Sequence, residues 1–315
     1  MRDLRIVFMG TPYFAVATLQ ALLKANFNII CVITAPDKPA GRGRKLRQSA
    51  VKEYALQQNL NILQPENLKD THFIETLKDL NANLQIVVAF RMLPKVVWSM
   101  PEYGTFNLHA SLLPDYRGAA PINWAIINGE KITGVTTFFI NEKIDTGAII
   151  LQKAVEITDK ENVEDLHDKL VDMGSNLVVE TVNLISLNNF QVQKQELKKG
   201  KSAPKLNKDN CKINWNIPLR EVYNHIRGLN PYPAAWSTLI NNDKPIEVKI
   251  YDVEKIVESH LHQYGKIIIS NKKELKVAVP NGFLNILEIK LAGKRKMDIK
   301  SLLNGFSIYE NAKML

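Results

Sequence analysis

Through the first part of the chain, short continuous apolar runs alternate with stretches whose apolar residues recur every three or four positions. RIVFMG (5–10), NIICVIT (28–34) and LQIVVAF (84–90) are runs of the first kind, the pattern of strands buried on both faces. Residues 14–24, 49–58, 73–80 and 121–127 carry the helical period. VTTFFI (135–140) and AIILQKAVEI (148–157) predict two further strands, and the long amphipathic segment 163–185 closes the region. Strands alternating with helices in this way predict an α/β domain, a parallel-rich sheet covered by helices on both faces.

The pattern changes near residue 190. FQVQKQELKKGKSAPKL (190–206) is largely polar and lysine-rich, with no sustained apolar period and with a Gly and a Pro, which is the composition of a linker. One helical stretch (219–226) and the break GLNPYP (228–233) precede AWSTLI, IEVKIYDV, GKIIIS, LKVAVP and FLNILEIKLAG, short runs separated by turns. Regularly spaced short strands predict a small β-barrel. The expected division is 1–189, a linker at 190–206, and a smaller domain at 207–315; two domains are also what 315 residues predict from size.

Charge separates the two parts further. Of a net +9, residues 1–189 hold 19 Lys and Arg against 20 Asp and Glu, while residues 190–315 hold 22 against 12. An excess confined to one domain fits either a solvated lysine-rich face or a polyanionic partner such as nucleic acid. Cys31 and Cys211 belong to no CxxC or Cys/His cluster, so neither a disulfide framework nor a zinc site is signalled and a reducing cytoplasm is expected. MRDLRIVFMG enters the first strand without a signal-type apolar region, and no run reaches the ~20 apolar residues of a membrane span.

Gly10 ends the first predicted strand but stands alone, so GxGxxG fails and a nicotinamide or flavin enzyme is disfavoured; a lone turn glycine fits packing as well as ligand approach. The densest chemistry lies in FNLHASLLPDYRGAAPINWAI (106–126). If 105–110 is a strand, Asn107 and His109 project from one face, and an amide donor beside an imidazole suits acyl-group transfer. A buried, satisfied core histidine is the competing reading. Asp145, in the turn NEKIDTG after a predicted strand, is either an ordinary turn residue or a carboxylate that orients His109 and favours its protonated form.

NLHASLLPDYRGAAPI (107–122), GVTTFFINEKIDTGAII (134–150), RIVFMGTPYFA (5–15) and APDKPAGRGRKL (35–46) occur in this order, and together they resemble the folate-dependent formyltransferases, specifically the branch acting on a methionyl initiator tRNA, over essentially the whole chain. The resemblance implies a Rossmann-like formyltransferase domain followed by a smaller OB-like β-barrel. It implies formyl transfer from 10-formyltetrahydrofolate to the amino group of methionine on initiator tRNA, for translation initiation, by a cytoplasmic monomer without metal or membrane. The family's catalytic Asn, His and Asp fall on Asn107, His109 and Asp145. Its folate-contacting turn falls on Ser111, Leu112, Leu113 and Pro114, with Phe90 and Met92 adding to the pterin pocket. The sequence departs from the commoner pattern at Phe90-Arg91, where Tyr-Gly is frequent, and at Lys143-Ile144, where Gly-Leu is frequent.

Read alone, the basic loop 37–45 is either a plain surface loop or a phosphate contact. In the family it wedges into the tRNA acceptor end, which puts Lys38, Arg42, Arg44 and Lys45 on tRNA, Arg42 at the key position. Arginine suits such a place because it bonds phosphate and stacks on bases. Lys272-Lys273 and Lys294-Arg295-Lys296 are the densest basic spots of the second domain; beside an OB-like strand count, contact of Lys294, Arg295 and Lys296 with the tRNA backbone is expected. The aromatics of NPYPAAW (230–236) are expected to pack. The alternatives are a formyltransferase acting on a small amine or sugar nucleotide, whose relatives lack the basic domain or the loop, and a non-catalytic RNA-binding relative, against which the intact trio argues.

Overall fold

The computed structural model describes residues 1–40, 45–196, 200–271 and 273–315. In chain order the elements are β1 (Ile6–Gly10), α1 (Tyr13–Lys24), β2 (Ile29–Ile33), β3 (Lys38–Ala40), β4 (Lys45–Arg47), α2 (Ala50–Gln57), β5 (Ile62–Leu63), α3 (Thr71–Asp79), β6 (Leu84–Val88), α4 (Lys95–Trp98), β7 (Thr105–His109), β8 (Arg117–Gly118), α5 (Pro121–Ile127), β9 (Ile132–Phe139), β10 (Ile149–Glu156), α6 (Val163–Ser186), β11 (Ser202–Ala203), α7 (Leu219–Arg227), β12 (Ala235–Asn241), β13 (Lys244–Ile256), β14 (Ile267–Ser270), β15 (Glu274–Val279), β16 (Gly282–Leu291), β17 (Met297–Asp298), α8 (Ile299–Gly305) and β18 (Lys313–Met314). They form two compact units. One comprises 1–118, 133–155 and 168–202; the other comprises 119–132, 156–167 and 203–315.

The first unit is built on a seven-stranded sheet in the order β10-β9-β7-β6-β1-β2-β5. Strands β5, β2, β1, β6 and β7 are parallel, and β9 runs antiparallel to β7. All five residues of β1 and of β6 are buried, as continuous apolar runs require when helices cover both faces. On one face Val7, Met9, Cys31, Ile33 and Val87 pack with Phe73 and Leu77 of α3 and Val97 of α4. On the other, α6 approaches β7 closely enough that a Cβ on Gly174 would stand 2.9 Å from Leu108 Cδ2. Each fully buried Leu, Ile or Phe contributes about 1.5–3 kcal/mol. Helix starts follow their caps: Ser49 Oγ accepts from Lys52 N–H and Asp70 Oδ1 from Phe73 N–H, each worth about 1 kcal/mol.

One sequence expectation changes here, and one of the readings kept open for Gly10 gains support. The run 84–90 stops being a strand at Val88, because Ala89 takes a left-handed φ of 46° and turns the chain out of the sheet. Gly10 has a packing reason: a Cβ there would stand 2.5 Å from Ala15 Cβ and 3.1 Å from Val88 O, so the close entry of α1 onto the end of β1 requires glycine. Immediately before the β3–β4 hairpin, Asp37 pairs with Lys52 at 2.6 Å and accepts from Gln64 Nε2 at 2.8 Å. Those hydrogen bonds, Lys52 first, hold its carboxyl below the ordinary range.

The second unit is an antiparallel half-barrel, with strand path β14-β15-β16-β13-β12-β18 and β17 on the side of β16. It curls far enough for Lys266 and Lys313 to bridge, and Met314 N donates to Gly265 O. Val248, Ile250, Val277, Leu284, Ile286 and Ile289 fill it together with Leu219, Val222 and Ile226 of α7. The expected small barrel is thus met by a half-barrel with one helix against its interior. Asn123 of α5 donates to Gly228 O, and Arg227 Nη1 donates to Thr158 O and Glu161 O, so the segments 119–132 and 156–167 are knitted to α7. The packing expected of NPYPAAW is only partial, because Tyr232 is 82% exposed. Both cysteines are free and buried; burial pushes Cys31 up to about 12 and raises Cys211. Among the described residues no helix is long and apolar enough to cross a membrane.

Candidate active site

Strand β7 alternates as its sequence predicts: Leu108 faces α6, and Asn107 and His109 share the opposite face. The antiparallel register sets Asn107 opposite Phe138 and His109 opposite Thr136 of β9. Strand β9 leads into the turn that carries Asp145, which is how a distant carboxylate comes to stand 3.9 Å from His109, measured from Oδ2 to Nδ1. Both side chains are largely buried, and the imidazole stands edge-on to the Phe138 ring. Among the described residues the Asn107 amide has no hydrogen-bond partner, so its donors are open to a ligand.

The other imidazole nitrogen is committed. His109 Nε2 donates to Tyr116 O at 2.8 Å, which places a hydrogen on Nε2 and turns Nδ1 toward Asp145. At 3.9 Å that pair is too long for a direct hydrogen bond, and the interval suits a water or a substrate group. Tyr116 holds its carbonyl there from a left-handed φ of 61°. Asp145 is also left-handed, at φ 52°, and its Oδ2 accepts from Gly118 N–H at 2.9 Å.

The Asp145 backbone is held as firmly as its carboxylate. Arg117 Nε and Gln195 Nε2 each donate to Asp145 O at 3.0 Å; Gln195 Nε2 also donates to Gly147 O at 2.8 Å, while Gln195 Oε1 accepts from Arg117 Nη2 at 2.6 Å. Neither Tyr116 nor Gln195 was singled out by the sequence. Tyr116 acts through a backbone carbonyl, which has no side-chain signature, and Gln195 lies in the polar stretch 190–206. That stretch has more structure than its composition predicts: Gln193 and Ile149 exchange backbone hydrogen bonds at 2.8 and 2.9 Å.

Ser111, Leu112, Leu113 and Pro114 follow the C-terminal end of β7, and Phe90 and Met92 follow that of its parallel neighbour β6. In open α/β sheets ligands collect at such ends. The 111–114 turn is rigid: Ser111 Oγ donates to Asp115 O, Thr136 Oγ1 donates to Ser111 O, and Leu113 O accepts from Gln152. Met92 is 71% exposed. The Phe90 ring instead packs on the Val7–Leu77 core, with the Arg91 guanidinium over it and donating to Glu66 O.

Of the basic positions, Lys38 is exposed on β3, opposite Arg47 of β4. Arg42 and Arg44, the side chain of Lys45, and Lys272 lie outside the described residues. Lys294 and Arg295 are exposed. Lys296 is engaged: its ammonium pairs with Glu288 at 2.7 Å and sits 5.2 Å from the centre of the Tyr251 ring, and the hydrogen bond to Glu288 raises its pKa.

Comparison with known proteins identifies the family. Residues 4–182 match the formyl transferase family and residues 205–307 match the formyl transferase C-terminal domain. The methionyl-tRNA formyltransferase of Flavobacterium johnsoniae is 56% identical over 315 residues, all of both chains, and that of Flavobacterium psychrophilum is 58% identical over 314 residues, 99% of each. The fold is that of a sugar 3N-formyl transferase crystallised in the presence of dTDP and 5-N-formyl-THF: the TM-score is 0.67 at 23% identity, over 94% of this chain and 100% of that one. With both domains matched and full-length relatives above half identity, the chain belongs to the methionyl-tRNA formyltransferases, within the folate-dependent formyltransferase family.

Proposed function

We propose that the chain transfers the formyl group of 10-formyltetrahydrofolate to the amino group of methionyl initiator tRNA, as a cytoplasmic monomer, with Asn107, His109 and Asp145 carrying the chemistry. The observation that carries this reading is the placement of His109 Nδ1 beside Asp145 Oδ2 with Nε2 committed to Tyr116 O. A folate donor fits the site in one respect the geometry bears on: the Asn107 amide is open on the same strand face as His109, and the rigid 111–114 turn adjoins it. The donor supplies an activated formyl carbon on N10.

In the forward reaction a bond forms between the methionyl nitrogen and the formyl carbon, the bond from that carbon to N10 breaks, and one proton passes from the amine to N10. Asn107 donates to the formyl oxygen as charge gathers there. His109 Nδ1 accepts the amine proton and returns it to the departing nitrogen, and the Asp145 carboxylate stabilises the imidazolium in between. Tyr116 O keeps the proton on Nε2, so the exchange runs through Nδ1 alone. A free α-amino group has pKa ~8, lowered further by an adjacent ester, so much of it is neutral near pH 7 and needs no strong base.

The test is a labelled-formyl transfer assay with charged initiator tRNA, a small amine and an amino-sugar nucleotide. Transfer to the tRNA alone is expected. Preferential transfer to the sugar or the amine overturns the substrate, and no transfer at all makes the chain a binding protein.

On tRNA, Lys38, Arg42, Arg44 and Lys45 are proposed at the acceptor end and Lys294, Arg295 and Lys296 on backbone phosphates. Because Lys296 is already paired with Glu288, its contribution is expected to be smaller. Lys294→Ala and Arg295→Ala should each reduce the log–log salt slope of tRNA binding by ~0.7–0.9, and Lys296→Ala by clearly less. Equal losses from all three would mean that tRNA displaces Glu288, and unchanged slopes would remove this turn from the interface.

A further inference from the structure

We infer that Gln195 is a positioning residue for formyl transfer, its carboxamide fixing the turn that holds the Asp145 carboxylate beside His109. This rests on the roles proposed above for Asp145 and His109. Four observations lead to it. Gln195 Nε2 spends its hydrogens on Asp145 O and Gly147 O, the two carbonyls flanking Thr146. Its Oε1 accepts from both Nε and Nη2 of Arg117. Arg117 Nε also donates to Asp145 O, closing a ring of three residues. The residue so gripped has a left-handed backbone, which for a non-glycine residue persists only where the surroundings enforce it.

A carboxamide is the group this position needs. Two carbonyl oxygens at 3.0 and 2.8 Å call for an NH2 donor, and the guanidinium on the other side calls for an acceptor. Glutamate would keep the acceptor but turn an oxygen toward both carbonyls; leucine would leave the carbonyls and the guanidinium without this partner. The segment that carries Gln195 is docked on β10 through the Ile149–Gln193 pair, so the amide is delivered by an ordered strand edge. In a stretch whose composition reads as linker, the structure assigns one residue to the chemistry.

The experiment is a double-mutant cycle on the full-length chain, with kcat and KM for charged tRNA measured for wild type, Gln195→Leu, Asp145→Asn and the double variant. Misplacing a reacting group by ~1 Å costs up to about 10²-fold, so Gln195→Leu is expected to lower kcat by about 10- to 100-fold with KM for tRNA unchanged. In the Asp145→Asn background the same substitution is expected to cost under about threefold, because a residue that acts through Asp145 has nothing left to position. Gln195→Glu, close in shape, should repeat the pattern and covers the case in which the leucine variant fails to fold. Equal losses in both backgrounds, or a kcat at the wild-type level, overturn the positioning role. An Asp145→Asn enzyme with undiminished kcat overturns the assignment of Asp145 itself, and this inference with it.

Discussion

His109→Ala is expected to lower the rate of formyl transfer by about 10²- to 10⁴-fold, the range for removing a positioned proton carrier, while tRNA binds as before. The imidazole is buried, its Nε2 is bound to Tyr116 O, and only Nδ1 remains for exchange; the proton transfer it serves belongs to the step in which the amine adds to the formyl carbon. Loss of the ring therefore falls on the transition state and spares the bound ground state. Asn107→Ala should cost ~10²-fold or more for the same reason, as a lost oxyanion donor. Single-turnover transfer with saturating tRNA, beside a separate binding titration, distinguishes the cases. A large fall in affinity with unchanged turnover would contradict the assignment.

Gly147→Ala is expected to damage both stability and activity. A Cβ at this position would stand 1.6 Å from Phe139 O and 2.8 Å from Phe139 C. Those are backbone atoms, so no rotamer relieves the clash and the turn itself has to move. Phe139 N–H donates to Ala148 O, and Gly147 O receives Gln195, so the shift breaks bonds on both sides and carries Asp145 away from His109. The overpacking cost is about 3 kcal/mol, about 6–12 °C in melting temperature for a unit of ~150–250 residues. Calorimetry and transfer assays at a temperature where the variant is folded check it. A variant that melts and turns over like the wild type would show that the turn has more room than the geometry allows.

Local physics is what the sequence exposes. The continuous apolar runs 5–10 and 84–90 hold the central strands β1 and β6, the second ending two residues early, because burial on both faces leaves no polar alternation to misread. The common face of Asn107 and His109 follows from period two alone. Ser49 was inside the predicted helical stretch and is its cap. Everything that depends on pairing register was hidden. Asp145 meets His109 only because β7 and β9 run antiparallel, and before the fold that meeting was accessible through family resemblance alone. Glu288 neutralises Lys296 because β16 and β17 pair with Glu288 opposite Asp298, which a basic triplet does not announce. Gln195 is invisible for a further reason: a glutamine among lysines and glutamines carries no distinguishing pattern, and its partners are backbone carbonyls.

The discontinuity of the second unit imposes an order on the molecule's birth. Residues 119–132 belong with α7 and the half-barrel, yet Gly228, whose carbonyl receives Asn123, is translated roughly a hundred residues later. At ~5–20 residues per second, Asn123 is translated about 5–20 s before the Gly228 carbonyl to which it donates. For that interval the seven-residue α5 segment, too short to hold a helix by itself, is without the α7 partner it has in the folded unit. Docking of α5 against α7 is thus a late event of synthesis, and a nascent chain that stalls short of residue 228 leaves the segment without that partner for as long as the stall lasts.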